Sequence, residues 1–197
     1  MSVGETALTG PVGRIDSGQA ISAEEFAEVM RAHQRRIHRL LLSFVRDPDE
    51  ADSLTQECFL RAYRNWSSFR GDSSIATWLS RIAVNLARDE AKNRRRSFWR
   101  RLLALDAGSS DGEQPYRIDA PAETVSPEQA LLAREQLQEV WAVVDRLPSQ
   151  QRAVFLLRFV HEMSLEEVAQ VLEVELGTVK SHLSRAVATV RRQVKHK

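Results

Sequence analysis

Apolar residues recur along this chain at i, i+3, i+4 and i+7, the period of a helix that buries one face. The pattern is plainest in residues 164–194. Leu165, Val168, Ala169 and Leu172 form one set, and after a break Val179, Leu183, Ala186 and Val190 form a second. Two short amphipathic helices that share one apolar seam make a helix-turn-helix pattern. Ser164 with Glu167 three residues on is a capping box that starts the first helix, while Gly177 and Thr178 predict the turn and the cap of the second.

The same period runs through the earlier sequence. From Ser22, a capping serine, one apolar face continues through Phe26, Val29, Met30, His33, Ile37, Leu40, Leu41 and Phe44, which predicts a helix ending near Arg46. Asp47 then supplies a cap and Pro48 a first helical residue, opening a helix that carries Leu54, Cys58, Ala62 and Trp66. Gly71 breaks the pattern, Asp72 or a neighbouring serine restarts it, and Ile75, Trp78, Leu79, Ile82, Ala83 and Leu86 hold the next core face. Residues 106–125 mix Gly, Pro and Ser with scattered acids, the composition of a flexible linker. Ser126 and Pro127 open a further helix that ends at Leu147–Pro148, and residues 151–160 predict a short, mostly buried helix that braces the helix-turn-helix. The expectation is an all-α fold of two small helical domains: a disordered tail over 1–20, a first domain over 21–97, a flexible acidic linker over 98–125 and a second domain over 126–197.

Charge refines this organisation. The formal net charge is only +1, but Arg88–Arg101 holds seven basic and two acidic residues, and residues 102–127 hold five acidic and one basic. From Thr178 onward there are six Lys or Arg and no acidic side chain. A helix with this asymmetry is suited to lie against phosphates, with Lys180, Ser181, His182, Ser184 and Arg185 on the face away from the seam and able to reach base edges. The alternative is a basic, solvated helix. Trp66, Phe69 and Trp78 flank a short polar loop leading into a basic helix that carries Arg88 and Lys92. That combination suits unstacked bases, which stack on aromatic rings while cations hold the backbone; the competing reading leaves these aromatics in the core.

Composition removes other classes. No stretch approaches the roughly 20 apolar residues of a membrane span, and residues 1–18 are too polar for a signal-peptide core, so the chain reads as cytoplasmic. The single cysteine, Cys58, excludes an internal disulfide and a Cys-rich zinc cluster and reads as a small core residue. No metal or cofactor is expected. An enzyme would need a constellation that the sequence lacks: His33 and His38 do not share a helix face, no phosphate-cradling Gly-rich loop occurs, and Cys58 has no base partner.

Three stretches together, residues 50–63 (EADSLTQECFLRAY), 69–85 (FRGDSSIATWLSRIAVN) and 147–186 (LPSQQRAVFLLRFVHEMSLEEVAQVLEVELGTVKSHLSRA), resemble the extracytoplasmic-function sigma factors, the smallest sigma-70 class. The resemblance covers about residues 22–97 and 126–195. It implies a subunit that binds core RNA polymerase, recognises promoter −35 and −10 elements, helps melt the latter and answers to an anti-sigma factor in stress responses. It places Asp52, Leu54, Gln56, Glu57 and Phe59 against the β′ clamp helices of the polymerase, with the β flap as a further contact. Ser53 departs from the Asp usual in the family. Phe69 and Asn85 correspond to positions lining the pocket for a flipped −10 base, with Trp78, Arg88 and Lys92 on the same −10 surface. Thr178, Lys180, Ser181, His182, Ser184 and Arg185 correspond to the −35 reading face, although relatives often carry Arg in place of His182 and Pro in place of Glu175, so the promoter sequence does not transfer. A regulator sharing only the helix-turn-helix would need a receiver or ligand domain with strands before it, whereas residues 22–97 read as helix throughout.

Overall fold

The computed structural model describes residues 21–103 and 137–195, with side chains over 21–94 and 137–194. The elements among them are helical. α1 is Ala23–Val45, capped by Ser22 and Glu25 in a reciprocal box. Asp47 caps α2, Pro48–Arg64, by accepting from the Glu50 amide at 3.0 Å. A 3₁₀ turn over Trp66–Ser68 leads to a loop in which Gly71 takes a left-handed conformation, φ 76°. Ser74 then caps α3, Ile75–Leu103, accepting from the Thr77 amide at 3.1 Å. Six residues expected in the linker are therefore helical, because basic residues are good helix formers and nothing before Leu103 breaks the run. The helix start expected at Ser126–Pro127 lies outside the described residues, as do the tail and the rest of the linker.

Residues 137–145 form α4, which ends before Pro148 as expected. α5, Ser149–Phe155, passes into a π-helical turn over Leu156–Val160, closed by the His161 amide donating to the Leu156 carbonyl at 3.1 Å. One extra residue in the turn shifts the facing of the side chains after it. Leu156 and Leu157 stay buried while Phe159 and Val160 emerge, 53% and 37% exposed, so this stretch is less buried than its composition suggests.

α6, Leu165–Leu172, carries the expected capping box of Ser164 and Glu167. α7, Leu176–Lys195, starts one residue before Gly177, so Gly177 is the second residue of the helix and does not make the turn. Glu173 makes it instead, in the left-handed region at φ 55°. A strained non-glycine residue here gives no signal that a Gly-based reading could detect.

The two halves do not stand apart. One continuous apolar cluster contains Leu40 and Leu41 of α1, Cys58 and Ala62 of α2, and Trp78 and Leu79 of α3, together with Val154, Leu157, Met163, Val168 and Leu172 from the second half. A smaller cluster of Val144, Leu147, Leu156 and Ala186 also receives Phe44 of α1. Cys58 is fully buried in the main cluster, its Sγ 3.6 Å from the Leu79 carbonyl, and burial pushes its thiol up to about 12. It is the small core residue that the helical pattern indicates.

Candidate nucleic-acid interface

α7 presents its seam inward and its polar face outward. Val179 and Ala186 are fully buried, Leu183 and Val190 half-buried. Lys180, Ser181, Ser184 and Arg185 are exposed, and Thr178 and His182 are half-buried beside them. Ser181 Oγ donates to the Gly177 carbonyl at 3.0 Å, which ties that hydroxyl to its own helix. The Nδ1 atom of His182 is buried without a hydrogen-bond partner among the described residues. The helix thus offers two cations and two hydroxyls on one open face, a surface that fits a groove with phosphates at its rims.

On the first half, Phe69 is only 8% exposed and sits between Trp66 and Trp78, with ring centroids 5.7 and 5.4 Å away. Trp66 and Trp78 are 5.8 Å apart and nearly perpendicular. The aromatics are therefore core, and Phe69 and Trp78 also line a cleft of about 760 Å³ with Arg70, Ser73, Arg81 and Glu173. Asn85 does not line this cleft; it is exposed farther along α3, near Lys92. Arg81, Asn85, Arg88 and Lys92 recur at four, three and four residues, so they share one face of the helix. Arg88 is half-buried, and its Nη2 donates to Gln150 Oε1 at 2.7 Å. Arg81 pairs with Glu173 at 3.4 Å, and the sequence pattern marks neither residue.

α2 divides the third group. Asp52 and Gln56 are exposed, Leu54 and Glu57 half-buried, and Phe59 is core at 4% exposure. Phe59 packs edge-on against Phe26, centroids 6.4 Å apart, and both rings form part of the wall of the groove beside them. Asp52 is approached by His38 Nε2 at 3.0 Å and Glu57 accepts from Arg61 Nε at 2.7 Å. Beside them lies a groove of about 330 Å³ where Met30, Leu60 and Tyr63 are 37%, 42% and 46% exposed. Met30, which the helical period assigns to the buried face, is thus open to solvent. The spacing of Gln56, Leu60 and Tyr63 at i, i+4 and i+7 marks a second stripe on α2 that the search for one core face passes over.

Among the described residues no group of three or more His, Cys, Asp or Glu is arranged to hold a metal ion, and no helix is long and apolar enough to cross a membrane.

Residues 29–97 match the family model for sigma-70 region 2, and residues 137–190 match that for sigma-70 region 4. The RNA polymerase sigma-H factor of Pseudomonas aeruginosa is 36% identical over 78% of this chain and 78% of its own length. The ECF RNA polymerase sigma-E factor of Escherichia coli is 35% identical over 82% of each chain. The solved structure of the sigma factor RpoE in complex with the anti-sigma factor NepR from Bartonella quintana is similar in fold, with TM-score 0.64 and 21% identity over 89% of this chain and 99% of that one.

Proposed function

The chain belongs to the ECF RNA polymerase sigma factors of the sigma-70 family, and from that membership we propose how its residues divide the work of promoter-directed initiation. It binds core RNA polymerase and directs it to promoters. The family is one of initiation factors and contributes no known catalytic chemistry of its own. The observation that carries the residue-level reading is the open face of α7 inside the region 4 match, where Lys180, Ser181, Ser184 and Arg185 are exposed opposite the buried Val179 and Ala186.

In this reading α7 enters the major groove at the −35 element. Arg185 and Lys180 supply bidentate or single contacts to guanine or to phosphate, and Thr178, Ser181, His182 and Ser184 supply shorter polar contacts. The −10 element is handled by α3 and the loop before it. Removing a base from the duplex costs a few kcal/mol of stacking and pairing, which only a stacking surface and hydrogen bonds to the exposed edge can offset. Phe69, on the wall of the cleft, with Trp78 behind it, is the stacking surface; Asn85, with both a donor and an acceptor, lies outside that cleft and reads a base edge farther along α3. Arg88 and Lys92 hold the backbone. Asp52, Leu54, Gln56 and Glu57 on α2 dock on the β′ clamp helices. Phe59 supports that face from beneath, and the second domain meets the β flap. The factor works in the cytoplasm and is held inactive by an anti-sigma partner; the solved structure similar to it in fold is a complex with an anti-sigma factor.

The test is run-off transcription with purified core enzyme on a pool of genomic fragments. The expected products begin downstream of shared −35 and −10 sequences and vanish when the chain is omitted. Absence of any chain-dependent transcript, with no comigration of chain and core, would refute the reading.

A further inference from the structure

From Val29 to Arg46, the cap of α1, the chain carries Arg31, Arg35, Arg36, Arg39 and Arg46 with His33 and His38 and no acidic residue; the acids of the helix, Glu24, Glu25 and Glu28, all lie near its start. Neither the −10 surface nor the −35 face draws on this run. Arg31, Arg35 and Arg39 follow one another at i, i+4 and i+8, so they stand in one row on α1, turned away from the fully buried Ile37 and Leu40. All three are exposed.

Their surroundings leave this charge uncompensated. Among the described residues, the acids that reach a basic side chain of α1 or its cap are Asp52, 3.0 Å from His38, and Asp145, paired with Arg46. Neither reaches the row. Like charges four residues apart destabilise a helix, so an arginine at each of the three positions works against the helix that carries it. The positive field extends to the neighbouring π-helical turn, where burial first and then Arg36 and Arg39 hold His161 down at about 4. The row also has a definite end. One step further along, Ser43 is buried and meets His161 Nε2 at 3.0 Å, and Arg152 donates to the Ser43 and Phe44 carbonyls at 3.3 and 3.1 Å. Three guanidinium groups over about two turns of helix remain open.

A row of arginines with a pitch of about 6 Å along the helix axis is close to the separation of successive phosphates on one nucleic-acid strand, and a guanidinium meets a phosphate through two parallel N–H···O bonds. An acidic protein surface has carboxylates but no such repeat. We propose that Arg31, Arg35 and Arg39 form a phosphate-binding rail that holds one strand of promoter DNA without reading its sequence, a third DNA contact in addition to those assigned to α3 and α7. Such a contact adds affinity to all sequences alike by releasing counterions, and it leaves discrimination to the side chains that meet bases.

This third contact rests on the sigma-factor reading, and the experiment keeps the two apart. The full chain bearing Arg31→Gln, Arg35→Gln and Arg39→Gln together is assembled with core polymerase, and binding to a labelled promoter duplex and to one with scrambled −35 and −10 elements is measured across a salt series beside wild type. The slope of log affinity against log salt is expected to become shallower by about 2 to 3, at roughly 0.9 per phosphate, with affinity at about 0.1 M salt lowered at least tenfold. The ratio between promoter and scrambled duplex should stay that of wild type, as should affinity for core, and the melting temperature should not fall. Lysine at the same three positions should keep the wild-type slope, because the charge is retained. A wild-type slope in the glutamine variant, a slope lost in the lysine variant as well, or a changed promoter preference overturns the rail. Weaker binding to core with an unchanged slope assigns the row to an acidic protein surface and overturns it equally. Wild-type chain that gives core no preference for the promoter duplex would refute the sigma reading, and the rail with it.

Discussion

Phe69 and Asn85 are both assigned to the −10 element, but their surroundings separate what each substitution does. Phe69 is buried between two tryptophans, so Phe69→Ala removes core as well as a stacking surface and should cost about 3 to 5 kcal/mol of stability. Asn85 is exposed, and Asn85→Ala should stay within about 0.5 kcal/mol of wild type in denaturant unfolding. In transcription the order reverses in kind: Asn85→Ala should alter preference at one −10 position alone. Phe69→Leu, which keeps much of the volume, should impair open-complex formation on duplex DNA and recover on a template already mismatched there. Equal defects on duplex and premelted templates, read by permanganate footprinting, would return Phe69 to a purely structural role. At the −35 face, Arg185→Ala should cost roughly 1 to 3 kcal/mol of binding and relax one promoter position if it meets a base edge. A uniform loss with a shallower salt dependence would assign it to phosphate instead.

Helix starts and turns are where single residues set whole elements. The capping boxes at Ser22 and Ser164 each satisfy two amides that the helix cannot, and Ser164→Ala should cost about 1 kcal/mol by loosening α6 beneath the reading helix. Gly177 carries the opposite expectation. It lies within the first turn of α7 with ordinary backbone angles, and a Cβ there would meet nothing within 4 Å. Gly177→Ala should therefore raise thermal stability by up to about 1 kcal/mol, whereas a glycine required by the turn would make the same change destabilising; a melting curve decides between them. On α2, reversing the charge of Glu57 should weaken binding to core polymerase while leaving circular dichroism and melting almost unchanged, since its ion pair with Arg61 is partly exposed to solvent.

For the molecule as a whole, the boundary between domains gives the pH response. Burial, followed by the positive charges of Arg36 and Arg39, holds His161 down at about 4, below its ordinary 6.5. The folded chain therefore binds fewer protons than the unfolded chain between those two values. The contribution is intact above pH 6.5 and is lost as pH falls through the window, at up to about 1.4 kcal/mol per unit, levelling off below about 4. Urea midpoints at pH 7.5 and 5 should differ more for wild type than for His161→Gln, and equal differences would mean that His161 is not buried in solution. Within each half, the sequence by itself determined most of what is observed: helix periods, Ser22, Asp47 and Ser164 as caps, Cys58 in the core, the helix-turn-helix seam and the family. These are legible because capping and the i, i+3, i+4 repeat act between residues a turn apart, so the chain writes them locally. The tertiary structure alone decided that the two halves share one core, that Arg152 and His161 close on the end of α1, that Phe59 faces inward and Met30 outward, and that Glu173 makes the turn. Those outcomes depend on which surfaces meet between elements distant in sequence and on backbone strain that packing holds in place, and neither has a period or a composition for a sequence to display.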